Sequence, residues 1–231
     1  MNRLAAAGAW LCLAIGTAYA DIVIDRTRII YLATEREVSV TLNNRADSPR
    51  LVQAWIDAGN PQVAPEYSDV PFTLTPPIFR VEPGRGQALR IVWQSTAQLA
   101  TEAVFWLNVL SIRPSPDAAQ GNTLQWAFRT RIKLFLRPTH CPEPALQWRL
   151  ISTAPALLQV YNPSRCHVTL SRVVLTGAGH EYRNDDPPMI APTTTQRVAL
   201  SDPQIPLNGS ATLRFSLLDD YGIANEHQQP L

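Results

Sequence analysis

Residues able to do covalent chemistry are few in this chain, and they are badly spaced for it. His140 and Cys141 are neighbours. A thiol beside an imidazole is the raw material of a nucleophile and its base, but adjacent residues seldom meet that geometry. The other histidines, His167, His180 and His227, are scattered. Asp185-Asp186 and Asp219-Asp220 are carboxylate pairs. Neighbours on a strand or turn point apart, so solvated loops suit them better than paired acid/base work. G-x-S-x-G, P-loop, H-E-x-x-H and C-x-x-C signatures are all absent. The chain therefore reads as no enzyme, with no cofactor and no metal site expected.

Binding chemistry is better represented. Of the 20 basic residues only one, Lys133, is a lysine. It lies in Thr123–Arg137, T-L-Q-W-A-F-R-T-R-I-K-L-F-L-R. Leu124, Trp126 and Phe128 alternate there with Gln125, Ala127 and Arg129, which gives a strand one apolar face. Fifteen residues is long for a strand, against a usual ~5–6. Such a segment is either a core strand or an edge strand whose apolar row serves a partner. Natural edges are normally blunted, so a long apolar one marks a partner site.

The remaining sequence must supply a frame for that strand. The formal net charge is +1 across 231 residues, 45% of them hydrophobic. This excludes a disordered chain and argues against nucleic-acid binding, which needs a basic field. Arg3, the apolar run Leu4–Ile15 and Ala18-Tyr19-Ala20 read as a secretory signal peptide over residues 1–20, cut after Ala20. A membrane anchor is the alternative, but the run is shorter than the ~20 residues that span a bilayer. No membrane insertion is expected elsewhere. Cleavage removes Arg3 and Cys12, leaving 19 basic against 19 acidic residues and two cysteines, Cys141 and Cys166. An even count in an exported chain suggests a disulfide, with two buried free thiols as the alternative.

Runs rich in β-branched and aromatic residues recur between turn residues. They cover Asp21–Tyr31, Glu37–Asn43, Leu51–Asp57, Ile78–Val81, Gln87–Trp93, Val104–Ile112 and Thr123–Arg137. After the proline-rich connector Pro138–Pro144 they resume at Leu146–Ile151, Leu157–Tyr161, His167–Leu175, Thr195–Leu200 and Ala211–Leu217. A short helix is conceivable at Thr96–Thr101. The expected fold is all-β, with domains at 21–138 and 139–231, the first an immunoglobulin-type sandwich. Asn208-Gly209-Ser210 fits a glycosylation sequon, although Asn-Gly more often makes a tight turn.

Several stretches, in order and spacing, resemble the PapD-like periplasmic pilus-assembly chaperones of the chaperone–usher systems. They are Asp25-Arg26-Thr27-Arg28, Gln53-Ala54-Trp55-Ile56 and Thr75–Gly84. Glu102 with Phe105-Trp106-Leu107-Asn108, Ile132–Pro138 and Asp219-Asp220-Tyr221-Gly222 complete the set. The resemblance implies two immunoglobulin-like β-sandwich domains arranged as an L with a cleft between them. It implies that Arg28 and Lys133 anchor the C-terminal carboxylate of a pilus subunit, while Leu124, Trp126 and Phe128 fill that subunit's open groove by donor-strand complementation. Glu102, Arg137 and Asp220 match an interdomain salt bridge. Thr75-Pro76-Pro77 resembles the family's proline loop, and the brief loop Arg113–Asn122 resembles its short-loop branch. The implied partners are pilus or fimbrial subunits and an outer-membrane usher, in the periplasm, with self-association of the free protein left open. Lys133 has opposite parity to the apolar row, so a bend, bulge or twist between them is expected. The chain ends nine residues after Gly222, so a short last strand is expected. An adhesive or carbohydrate-binding sandwich is the competing reading; it is disfavoured because Trp55, Trp93, Trp106 and Trp126 fall in strand-like runs rather than loops.

Overall fold

The computed structural model describes residues 21–95, 98–114, 124–138, 140–177, 179–201 and 209–231. The expected signal peptide and cleavage site at residues 1–20, Asn208 of the possible sequon and most of the loop Arg113–Asn122 lie outside the described residues. Among the described residues, strands are the only regular elements apart from a three-residue 3-10 turn at Pro65–Tyr67. Gln98–Thr101, the described part of the expected helix, is not helical, and Leu99 instead packs on the core.

Nine strands build the first sandwich: β1 (Ile22–Ile24), β2 (Arg28–Leu32), β3 (Val38–Asn44), β4 (Arg50–Asp57), β5 (Phe72–Thr75), β6 (Ile78–Val81), β7 (Gly86–Trp93), β8 (Ala103–Ile112) and β9 (Ala127–Arg137). One sheet has the order β1-β3-β7-β5 and the other β2-β9-β8-β4-β6. Between them Ile29, Tyr31, Val40, Leu42, Leu89, Ile91, Leu107 and Leu134 are fully buried in one cluster. The Val38–Leu42 alternation produces this directly, with Val40 and Leu42 inward and Ser39 outward.

The second sandwich comprises β10 (Gln147–Thr153), β11 (Ala156–Tyr161), β12 (Leu170–Gly177), β13 (His180–Asn184), β14 (Thr195–Ala199), β15 (Ala211–Leu218) and β16 (Ala224–Pro230). Sheets β10-β11-β14 and β13-β12-β15-β16 enclose a separate core containing Leu158, Val160, Val173, Leu175, Tyr182 and Leu213.

Four expectations need correction. The run Asp21–Tyr31 is two strands in different sheets: β1 pairs antiparallel with β3, and β2 pairs parallel with β9. Ile22 and Ile24 have opposite parity to Ile29 and Tyr31, so one continuous strand could not turn all four toward one core. β9 begins at Ala127, and Leu124 and Trp126 precede it. Its partner β8 ends at Ile112, shortly before Pro114, which has no amide hydrogen to extend the ladder. Strands β5 and β13 were not expected as strands, and the last strand, β16, expected to be short, is no stub: its seven residues pair along β15 from Leu218↔Ala224 to Thr212↔Pro230. Finally, β9 pairs with β8 from Ala127 to Leu136 without a register shift, so of the expected bend, bulge or twist the bulge is absent from β9.

Candidate functional site: an open strand edge that ends at two cations

The two ends of β9 have different surroundings. Lys133–Leu136 lie between two strands, with β8 on one side and β2 on the other. Among the described residues, Ala127–Ile132 have β8 alone, because β2 begins only at Arg28, opposite Lys133. The open half therefore presents unpaired backbone groups to solvent along one edge.

Side chains on β9 divide by parity. Leu134 and Leu136 enter the core, and Ile132 packs against it. Phe128 has the same parity and continues that face beyond the covered part of the sandwich. Phe128 is 55% exposed, Trp126 64% and Leu124 79%. Thus the structure leaves all three residues of the expected groove-filling row uncovered.

The opposite face carries Arg129, Arg131, Lys133 and Arg137, and three of these are committed within the chain. Arg129 donates two hydrogen bonds to Asn108 Oδ1. Arg131 donates two to Asp57. Arg137 Nε donates to Glu102 Oε2 at 2.6 Å, while Nη1 and Nη2 donate to Asp220 at 2.9 and 3.0 Å. Lys133 makes no such pair among the described residues; its ammonium lies 5.6 Å from the Trp106 ring centre. Burial, and then the charge of Arg28, push its pKa below the ordinary lysine value, against an opposing pull from Asp186.

Arg28 stands directly opposite Lys133 in the parallel ladder. Its Nε is buried without a hydrogen-bond partner. Burial lowers its pKa too, and the carboxylates of Asp219 and Asp220 oppose that shift. The buried, unsatisfied Nε of Arg28 thus lies beside an ammonium that has no ion pair among the described residues, a pairing of donors chemically suited to an anion. The preceding residue, Thr27, meets the second sandwich at Gly222, where a Cβ would come within 2.5 Å of the threonine Oγ1. Gly222 also has a φ of +85°, so both the contact and the backbone favour glycine.

Arg137 bridges the two sandwiches through Glu102 and Asp220. Glu102 is also held by the His167 amide at 2.8 Å and lies 3.1 Å from His167 Nδ1. Asp219 points elsewhere: its Oδ1 accepts from the amides of Tyr221 and Ile223. Cys141 and Cys166 form a disulfide with Cα atoms 6.0 Å apart, which leaves Cys141 no thiol for nucleophilic chemistry with His140. Glu102 and the two sulfurs lie within 4.8 Å of one another. The sulfurs are bonded together, so they offer no thiolate to a metal. The Thr75-Pro76 bond is cis.

Sequence reading missed Asp57, Asn108, Arg129 and Arg131. The available signal was the same-face spacing of Arg129, Arg131 and Lys133, since three cations on one strand face require compensation from across the sheet.

Comparisons with known proteins agree with this architecture. A family model described as "Pili and flagellar-assembly chaperone, PapD N-terminal domain" matches residues 21–142, and "Pili assembly chaperone PapD, C-terminal domain" matches 143–229. The chain is 39% identical to the probable fimbrial chaperone YadV of Escherichia coli strain K12, over 93% of this chain and 92% of that protein. It is 35% identical to the chaperone protein FimB/FhaD of Bordetella pertussis, over 97% and 94%. The crystal structure of the YadV chaperone superposes with a TM-score of 0.77 at 36% identity, covering 92% of this chain and all of that one.

Proposed function

The chain belongs to the PapD-like family of pilus-assembly chaperones, and from that membership we propose that it captures pilus subunits in the periplasm by strand addition and delivers them to an outer-membrane usher. Members of the family are assembly helpers rather than enzymes. The observation that carries the reading is the open half of β9, lined by exposed apolar side chains and ending at Arg28 and Lys133.

The geometry supports a definite mode of capture. A strand added beside Ala127–Ile132 would lie in line with β2, in the row that β2 vacates. If its C-terminal carboxylate rests on Arg28 and Lys133, the added strand runs parallel to β9, as β2 does. Main-chain hydrogen bonds along the edge supply affinity. Leu124, Trp126 and Phe128 enter the subunit's groove, each burial contributing roughly 1.5–3 kcal/mol. The carboxylate fixes register, because a one-residue slip would turn every side chain to the wrong face. The opposite parity of Lys133 is then no obstacle. A partner approaching along the edge reaches both faces of the strand, so no bulge is required. Glu102, Arg137 and Asp220 hold the angle between the sandwiches and so keep Arg28 facing the edge.

Co-purification from the periplasm tests this reading. Arg28→Ala and Lys133→Ala each lose charge-assisted hydrogen bonds worth ~1.5–3 kcal/mol. Both variants should fold and be exported, yet recover pilus subunits roughly tenfold to a hundredfold less well. Recovery at wild-type yield from both variants would contradict the anchor.

A further inference from the structure

The open half of β9 lacks what ordinarily holds a strand in place. Among the described residues it has a neighbour on one side only, and Phe128 and Thr130 on its inner face are exposed. Its order must come from the outer face, where the structure has an interlocked polar network.

Asp57 closes β4 and is 1% exposed, while Asn108 in the middle of β8 is fully buried. Asn108 Nδ2 donates to Asp57 Oδ2 at 2.7 Å, and the Gly59 amide donates to Asp57 Oδ1 at 2.6 Å. Arg131 completes the carboxylate's shell from β9, with Nε and Nη2 at 3.2 and 2.6 Å. Arg129 grips Asn108 Oδ1 with Nε and Nη2 at 2.9 and 2.6 Å and donates through Nη1 to the Pro61 carbonyl at 2.7 Å. Both guanidiniums lie over indoles, Arg129 at 4.8 Å from Trp55 and Arg131 at 4.1 Å from Trp106.

The register gives the network a direction. Arg129 stands opposite Leu110, and Arg131 opposite Asn108. Each arginine therefore reaches past its own row to a partner one row closer to Lys133. Two residues of β9 are thereby tied to β8 and β4 from outside, on either side of the exposed inner-face residue Thr130. Burial raises the Asp57 pKa, but the bonds from Arg131, Asn108 and Gly59 outweigh it, so the carboxyl sits below its ordinary value and stays ionised.

We infer that Asp57 and Asn108, acting through Arg129 and Arg131, are positioning residues for the donor strand: they hold its open half extended and in register with β8 before a subunit arrives. The inference rests on the strand-addition reading above. A strand ordered beforehand spares the partner the ordering entropy that would otherwise weaken capture.

Hydrogen exchange on the free full chain tests the inference without any ligand. Arg129→Met should fold, because Arg131 still neutralises Asp57. The paired change Asp57→Asn with Arg131→Met removes both charges together and leaves neither one buried alone. In both variants, the amides of residues 127–132 that donate to β8 should exchange about tenfold faster or more through local opening. Residues 134–137 and the second sandwich should be unchanged, and the thermal midpoint nearly so. Unchanged exchange at 127–132 would overturn the inference. So would acceleration spread evenly through the first sandwich with a matching fall in midpoint, which would mark a general stability brace. Arg28→Ala separates this from the capture reading, since it removes the anchor and leaves the network intact. It should not alter exchange at 127–132. If Arg28→Ala still recovers subunits, the anchor fails while the exchange result continues to decide how the strand is held.

Discussion

The two sandwiches treat their strand edges in opposite ways. In the second, the outer sheet ends in β13, His180–Asn184, and β16, Ala224–Pro230. These carry Glu181, Arg183, Glu226, Gln228 and a terminal proline, and bury little besides Tyr182. Polar side chains and proline are how proteins discourage edge-to-edge pairing. In the first sandwich β5 is short and lies between Pro71 and Pro76, which blunts it as well. Against these three the open half of β9 is the exception, since it is approached by Leu124 and Trp126 and carries Phe128. An edge that stays apolar while β5, β13 and β16 are blunted fits the strand-addition reading proposed above.

The largest expected effect comes from erasing that exception. Trp126→Lys with Phe128→Lys would give β9 the character of β16. Two apolar burials of roughly 1.5–3 kcal/mol each would be lost. Subunit recovery should fall a hundredfold or more while the thermal midpoint of the free protein stays put, because both side chains are exposed in it.

Next in size is a difference in how the two cores are secured. The second sandwich is the smaller and carries the Cys141–Cys166 bridge, which spans 25 residues. Replacing both cysteines with serine should destabilise it by about 3–4 kcal/mol on the chain-entropy model, read as an earlier urea transition. Intact-mass measurement without reductant should show the bond.

A smaller effect follows from making the polar edge sticky. Glu226→Val with Gln228→Leu on β16 should produce concentration-dependent association in sedimentation experiments. A strictly monomeric variant would show that exposed backbone and apolar side chains are not enough, and that the anchor is indispensable.

The smallest effect is a pH dependence. Lys133 must be charged to hold a carboxylate. Burial and Arg28 lower its pKa, so capture should weaken as pH rises through a value below the ordinary ~10.4. Lys133→Arg, charged throughout, should remove that alkaline decline. At the acid end, Asp57 is ionised to below 3.8. Its stabilisation is complete above that value and is lost only as pH falls through the lower folded one.

Much of this was legible in the sequence because strand periodicity is local. The Val38–Leu42 alternation and the apolar row before Arg129 each predict a face without knowledge of neighbours. The anchor and the bridge at Arg137 came from the family resemblance, since nothing in the spacing of Arg28, Glu102 and Asp220 brings them together. The missed β13 and the underestimated β16 share one cause. β13 and β16 are edges that bury a single side or almost nothing, so they lack the β-branched composition that marks a strand. The Asp57–Asn108 network was hidden because it exists only once β4, β8 and β9 lie side by side, at sequence separations of 51 and 74 residues.

Strand direction is the most direct test of the central claim. Cysteines placed at Thr130 and Phe128 can be joined by a short bifunctional maleimide to cysteines near the C-terminus of a captured subunit. Parallel addition, with the carboxylate on Arg28 and Lys133, requires that Thr130→Cys link to the position nearer the subunit's end and Phe128→Cys to one about two residues earlier, following the strand repeat. The reverse order, or linkage far from the subunit's C-terminus, would contradict capture at the open half of β9 through a carboxylate anchor.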